Sequence, residues 1–139
     1  MMYQKQKMGK LYVIEGMIGF TQLQEYQLTQ EEEGSPFFVL QAEKDENVSF
    51  WVVEPFVFYP EYEFNLPESV KESLHINEQE DVSVLNIMTV RGNNQITVNL
   101  KAPLIVNVKT GQAKQIILKD DTYDLRQPLL PQQNKPVKK

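Results

Sequence analysis

His75 is the single histidine of the chain. A general base built on it needs an orienting carboxylate and a nucleophile within hydrogen-bond reach. Leu74 and Ile76 flank it instead, at the expected end of a short helix, so it reads as a packed or exposed helix-end residue. Glu61 and Glu63 stand two apart, and an extended backbone points both the same way. A retaining glycosidase uses two carboxyls about 5 Å apart, but it also needs a sugar cleft. Surface charge or partner contact is the stronger reading of this pair. Glu31-Glu32-Glu33-Gly34 is an acidic run at a turn and lacks the alternating ligands of a calcium loop. Asp120-Asp121 has no third ligand nearby in sequence. The chain holds no cysteine, which removes disulfides, thiolate nucleophiles and cysteine-ligated zinc. Phosphate-binding glycine loops, a nucleophile elbow and HExxH are missing as well. These residues point to no catalytic group, no cofactor and no metal.

The residue types that do cluster are aromatic. Phe50 to Phe64 holds seven of the fourteen Phe, Tyr and Trp side chains. Glu54, Glu61 and Glu63 interrupt the cluster, and Pro55, Pro60 and Pro67 punctuate it. A strand buried on both faces does not accept that pattern. Part of the segment is therefore expected at the surface as a rigid, apolar and acidic patch suited to protein recognition. Alternation would bury Phe56, Phe58 and Phe64 and expose Tyr59, Glu61, Tyr62 and Glu63. Asn99 and Ala102-Pro103 form a second candidate rim, where a strand-ending bulge is the competing explanation. RNA-binding sheets interleave aromatics with Lys and Arg; glutamate takes that place here. A contrasting reading is a small β-barrel enzyme with a pocket under Phe50–Phe64, which would need a polar-lined pocket holding a strongly perturbed carboxylate.

Charge is divided along the chain. Glu25 to Asp81 carries fifteen acids against Lys44 and Lys71, whereas Val82 to Lys119 carries five bases and no acid. An acidic face repels nucleic acid and attracts basic proteins. Strands of opposite charge laid side by side would instead neutralise one another. No apolar run is long enough to span a bilayer, no h-region follows the basic N-terminus, and a reducing cytoplasm fits the composition.

The elements that must position these residues are mostly strands. Lys10–Glu15, Pro36–Gln41 and Val48–Val53 have strand length and β-branched or aromatic bias, and Gly16–Phe20 is a turn. One helix starts near Pro67, carries Leu66, Val70 and Leu74 at spacings of four, and ends near Leu74 to Ile76. The second half reads as an antiparallel meander: Val82–Val90, a turn at Arg91-Gly92-Asn93-Asn94, an alternating run from Ile96 to Lys101, then Leu104–Val108 and Lys114–Leu118 about a hairpin turn. The stretch from Gln127 onward is rich in Pro, Lys and Gln and reads as mostly mobile. The expected fold is mainly β: a small single-domain β-barrel-like fold of antiparallel strands with one short helix. The domain covers 1–130, with a mobile basic tail at 131–139.

Several ordered blocks carry a family resemblance. They are Pro36-Phe37-Phe38-Val39-Leu40-Gln41, the run from Val53-Glu54-Pro55-Phe56 to Asn65-Leu66-Pro67, Val98 to Asn107, Lys109 to Leu118, and Tyr123 to Leu129. From about Gly16 to Leu129 the chain resembles the flagellar assembly factor FliW family. The resemblance implies a small β-barrel protein without catalytic residues. It also implies two cytoplasmic partners, flagellin and the RNA-binding translational repressor CsrA, which exchange so that free flagellin sets its own translation. No direct nucleic-acid or membrane binding goes with it. Combined with the residue reading, it places partner contact at Phe58, Tyr59, Pro60, Glu61, Tyr62 and Glu63, with Asn99, Ala102 and Pro103 beside them. One departure stands at the front. The family pattern Gly-x-Pro-Gly-Phe is here Gly16-Met17-Ile18-Gly19-Phe20, and the N-terminal strand region is shorter than usual.

Overall fold

Short runs with inward residues at every second position build a closed barrel. The computed structural model describes residues 9–92 and 95–129. The tail expected at 131–139 and the turn residues Asn93-Asn94 lie outside the described residues. β1 (Gly9–Val13), β2 (Glu25–Gln30), β3 (Phe37–Ala42) and β4 (Ser49–Val53) follow one another as antiparallel neighbours. A 3-10 turn at Pro55–Val57, helix α1 (Glu68–Ser73) and a second 3-10 turn at Gln79–Asp81 come next. β5 (Val82–Arg91), β6 (Gln95–Val98), β7 (Leu104–Asn107), β8 (Gln112–Gln115) and β9 (Gln127–Pro128) complete the sheet.

β5 is long because it serves three partners. It pairs with β7 along Val82–Leu85, with β4 along Asn86–Met88 and with β6 along Met88–Arg91. The β4–β5 contact closes a seven-strand barrel, and β6 and β9 extend the sheet outside it. This differs from a simple meander, because β7 returns to β5 and not to β6. One pair, β1 with β8, is parallel, with Tyr12 opposite Gln112 and Val13 opposite Ala113.

Two layers of core result. Leu11, Val13, Tyr26, Leu28, Phe38 and Leu40 fill the barrel interior with residues from the opposite wall. Alternation accounts for these inward positions, since successive side chains point to opposite faces of a strand. A second cluster lies outside the barrel, where Val53, Met88 and Val98 are covered by Tyr62, Leu118 and Leu129. Gln127–Leu129 is therefore docked, a correction to the reading of a mobile stretch from Gln127. Pro128 pairs with Thr97, and Leu129 is 2% exposed.

The helix seats Val70 and Leu74 on Ile105. Pro67 is its N-cap residue, one position before the expected first turn. It ends when His75 takes a left-handed conformation, φ 56°. The His75 N–H donates to the Glu72 carbonyl at 3.2 Å and the Ile76 N–H to the Lys71 carbonyl at 2.9 Å, the paired bonds of a Schellman cap. Asn107 holds the same end by donating its side-chain N–H to the Leu74 carbonyl at 2.7 Å. At the β1–β2 connection, Gly16 has φ 72°, and a Cβ there would lie 2.5 Å from the Phe20 carbonyl oxygen. Only glycine fits that turn.

Candidate functional site

The aromatic segment begins in β4 with Phe50 and Trp51, but from Pro55 to Tyr62 it is a pair of turns and not a strand. Pro55 starts the 3-10 turn after β4, where its fixed φ suits the first position. Tyr59, Pro60, Glu61 and Tyr62 form a further turn, closed by the Tyr62 N–H donating to the Tyr59 carbonyl at 2.9 Å, with proline at the favoured second position. Turns break the two-residue alternation, so the expected inside and outside are partly exchanged. Phe56 is 46% exposed and Tyr62 only 4% exposed, which corrects both expectations. Phe58 and Phe64 are half-buried, as is Tyr59.

Tyr62 is a core residue with a polar tip. Its ring meets Tyr123 edge-on at 4.8 Å and Phe64 at 5.5 Å. Its hydroxyl donates to the Leu100 carbonyl at 2.7 Å and accepts from the Asn86 side-chain N–H at 3.3 Å. Burial pushes the phenol up to about 12, against the opposing pull of the Asn86 bond. Asn86 also donates to the Asn99 carbonyl at 2.8 Å.

Asn99, Ala102 and Pro103 belong to this internal joint. The Asn99 side-chain oxygen accepts the N–H groups of Lys101 and Ala102, each at 3.0 Å. Ala102 is 3% exposed and Pro103 is buried. The second candidate rim is thus a side-chain-capped bulge between β6 and β7, folded inward. Rim exposure at Ala102 and Pro103 is corrected accordingly.

The surface that remains is a ledge of Phe56, Val57, Pro60, Glu61 and Glu63, all exposed. Tyrosine hydroxyls fix it from below. Tyr59 donates to the Pro128 carbonyl at 3.0 Å, and burial pushes its phenol up to about 12. Tyr123 accepts the Glu63 N–H at 3.1 Å and donates to the Glu63 carbonyl at 3.0 Å. Glu61 and Glu63 join no ion pair among the described residues. The acidic and basic stretches of chain meet where Lys109 reaches Asp81 at 3.5 Å. Sequence reasoning places Glu61 and Glu63 outward, as found. It misses Phe56 and Val57, whose one signal is the Pro55 that starts the 3-10 turn.

A groove of about 410 Å³ runs beside the ledge, between Tyr62–Leu66 and the end of α1. This is the position that the enzyme reading requires. Asp120, whose carboxylate is held below its ordinary value chiefly by the hydrogen bond from the Thr122 N–H, lies outside it. Among the described residues no three His, Asp or Glu side chains are placed to hold a metal ion, and no helix is long and apolar enough to cross a membrane. His75 is an exposed helix cap and not part of a constellation.

The sequence and the barrel have counterparts in known proteins. A model of the FliW protein family matches residues 1–129. The flagellar assembly factor FliW of Bacillus velezensis is 42% identical over 112 residues, covering 80% of this chain and 78% of the relative. That of Bacillus subtilis is 41% identical over 115 residues, 82% and 80% of the two chains. That of Caldicellulosiruptor saccharolyticus is 36% identical over 130 residues, 93% and 85%. A crystal structure of the flagellar assembly factor FliW superposes with a TM-score of 0.81 at 32% identity, covering 86% of this chain and 84% of that one. By sequence along nearly its whole length and by barrel topology, the chain belongs to the FliW family.

Proposed function

We propose that this protein is a cytoplasmic flagellar assembly factor that binds flagellin and also binds and antagonises a CsrA-type RNA-binding repressor, so that flagellin level governs flagellin translation. The observation that carries the reading is the ledge at Phe56–Glu63. Apolar and acidic groups stand exposed there on a backbone pinned by Tyr59, Tyr62 and Tyr123. Pinning lowers the ordering cost of binding. Exposed carboxylates that join no ion pair among the described residues draw a basic protein and repel bound RNA. Phe58, Tyr59 and Tyr62 support the contact from beneath, and Asn99, Ala102 and Pro103 brace it. Family membership supports a protein-binding role and not a catalytic one.

The test is binding of purified flagellin and purified repressor to the parent chain, followed by addition of flagellin to the repressor complex. The reading expects both to bind and flagellin to release the repressor. Failure of both partners to bind overturns it.

A further inference from the structure

The groove beside the ledge has an apolar base and an acidic margin. Its floor is the outer face of the β5–β7 ladder, where Val84 and Ile105 stand opposite one another. Ile76, one residue past the helix cap, closes one side, and Phe64 closes the other. Glu63 and Glu78 on the rim are exposed and join no ion pair among the described residues. Lys71 also lines the groove, but its ammonium is engaged by Glu68 at 3.5 Å.

This chemistry selects an occupant. A neutral apolar ligand leaves the rim carboxylates uncompensated, and an anionic ligand is repelled by them. A chain segment with an apolar stripe flanked by Lys or Arg satisfies floor and rim together. The rim is solvent-exposed along its length, so a segment can lie across it without being swallowed. We propose that this groove is the docking cleft for a basic amphipathic segment of a partner protein, seated on Val84 and Ile76 with its cations beside Glu63 and Glu78. The inference rests on the protein-binding reading above and adds the seat and the chemistry of what occupies it.

The probe is a fluorescein-labelled peptide of about four helical turns with Leu at helical spacing and Lys on the flanks. The comparison peptide has Glu in place of every Lys. Fluorescence anisotropy is read for the parent chain, for Glu63→Lys with Glu78→Lys, and for Glu31→Lys with Glu32→Lys and Glu33→Lys at the β2–β3 turn, whose acids do not line the groove. The proposal expects the Lys peptide to bind the parent at least about tenfold tighter than the Glu peptide. It expects the rim pair to lose about tenfold or more and the non-lining triple less than about twofold. Amide resonances of Phe64, Ile76 and Val84 in the parent chain should shift on titration, a readout independent of whether any variant folds. Equal binding of the two peptides, equal losses in the two variants, or shifts confined to another face overturn it. The same variants are assayed with flagellin and the repressor. If both partners bind parent and rim variant alike, the cleft is wrong and the functional reading stands. If neither partner binds the parent, the functional reading fails, and the peptide data alone decide the cleft.

Discussion

Ile18 donates its backbone N–H to the side-chain oxygen of Gln115 at 2.7 Å, across 97 positions of chain. The Gln115 side-chain N–H donates in turn to the Ala102 carbonyl at 3.2 Å. One side chain thus ties the Gly16–Phe20 turn to the bulge between β6 and β7. The resemblance read from the sequence implies proline where this chain has Ile18, and proline has no N–H to give. With Ile18 at that position the turn keeps an N–H for Gln115 to accept.

The two positions should be coupled. Ile18→Pro removes the donor, and Gln115→Ala removes the acceptor together with the bond to Ala102. Urea denaturation of the two single variants and the double variant should give a coupling energy of about 1 kcal/mol. Strict additivity would show that the bond contributes nothing.

Tyr62→Phe deletes one hydroxyl that two buried groups use, the Leu100 carbonyl and the Asn86 N–H. The expected loss is about 1–3 kcal/mol in urea denaturation. The pH dependence follows from the same phenol. Below its unfolded value of about 10 the phenol is protonated in both states. Above that value the unfolded chain releases the proton, while the buried phenol, pushed up to about 12, keeps it. Stability conferred by the buried neutral form is thus fully present below pH 10 and is lost as pH rises towards 12. Tyr62→Phe should flatten that alkaline decline relative to the parent chain.

His75→Gly should stabilise the protein. A non-glycine residue at φ 56° carries strain of about 1 kcal/mol, and the exposed imidazole makes no side-chain bond among the described residues that its loss would break. An increased urea midpoint is expected, and His75→Val should lower it.

Removal of β9 should be costly. Leu129→Ala empties a site in the outer core and should lose about 2–4 kcal/mol. Truncation after Arg126 also strips the acceptor of the Tyr59 hydroxyl and should lower the melting temperature by many degrees. Truncation after Leu130 should shift it little, and a large shift there would show that the terminal segment contributes to the body.

Charge on the ledge should govern approach. Glu61→Lys with Glu63→Lys should slow repressor association while leaving the melting temperature within a few degrees of the parent. The parent rate should fall as salt rises, because screening shortens the reach of the charges. A rate indifferent to both would place the contact on an uncharged face.

Local pattern explains much of this fold, and its failures have physical causes. β5 announces itself as a long, mostly apolar run, β6 by alternation, and both by the turn expected between them. β2 is harder to see, because Tyr26 and Leu28 alternate with Glu25, Gln27 and Thr29 in a run of low mean hydropathy. β9 has only two residues, so its pairing is decided by Tyr59 and by the space above Val98, which no local signal reports. Tyr62 shows the same limit at the site. Whether it faced in or out depended on turns, and the period-two rule has no force there. The acids at Glu61 and Glu63 were legible because charge without a partner stays in water, whatever the backbone does.

The parallel pairing of β1 with β8 sets a clock on synthesis. Tyr12 meets Gln112 one hundred positions later, so the first hairpins can form early but the ring cannot shut until β8 has left the ribosome. Closure is then a late event of high contact order, slow by the loop entropy it must overcome. Until that moment the edge of β1 stands open, and nascent chains crowded on one message are at their most adhesive.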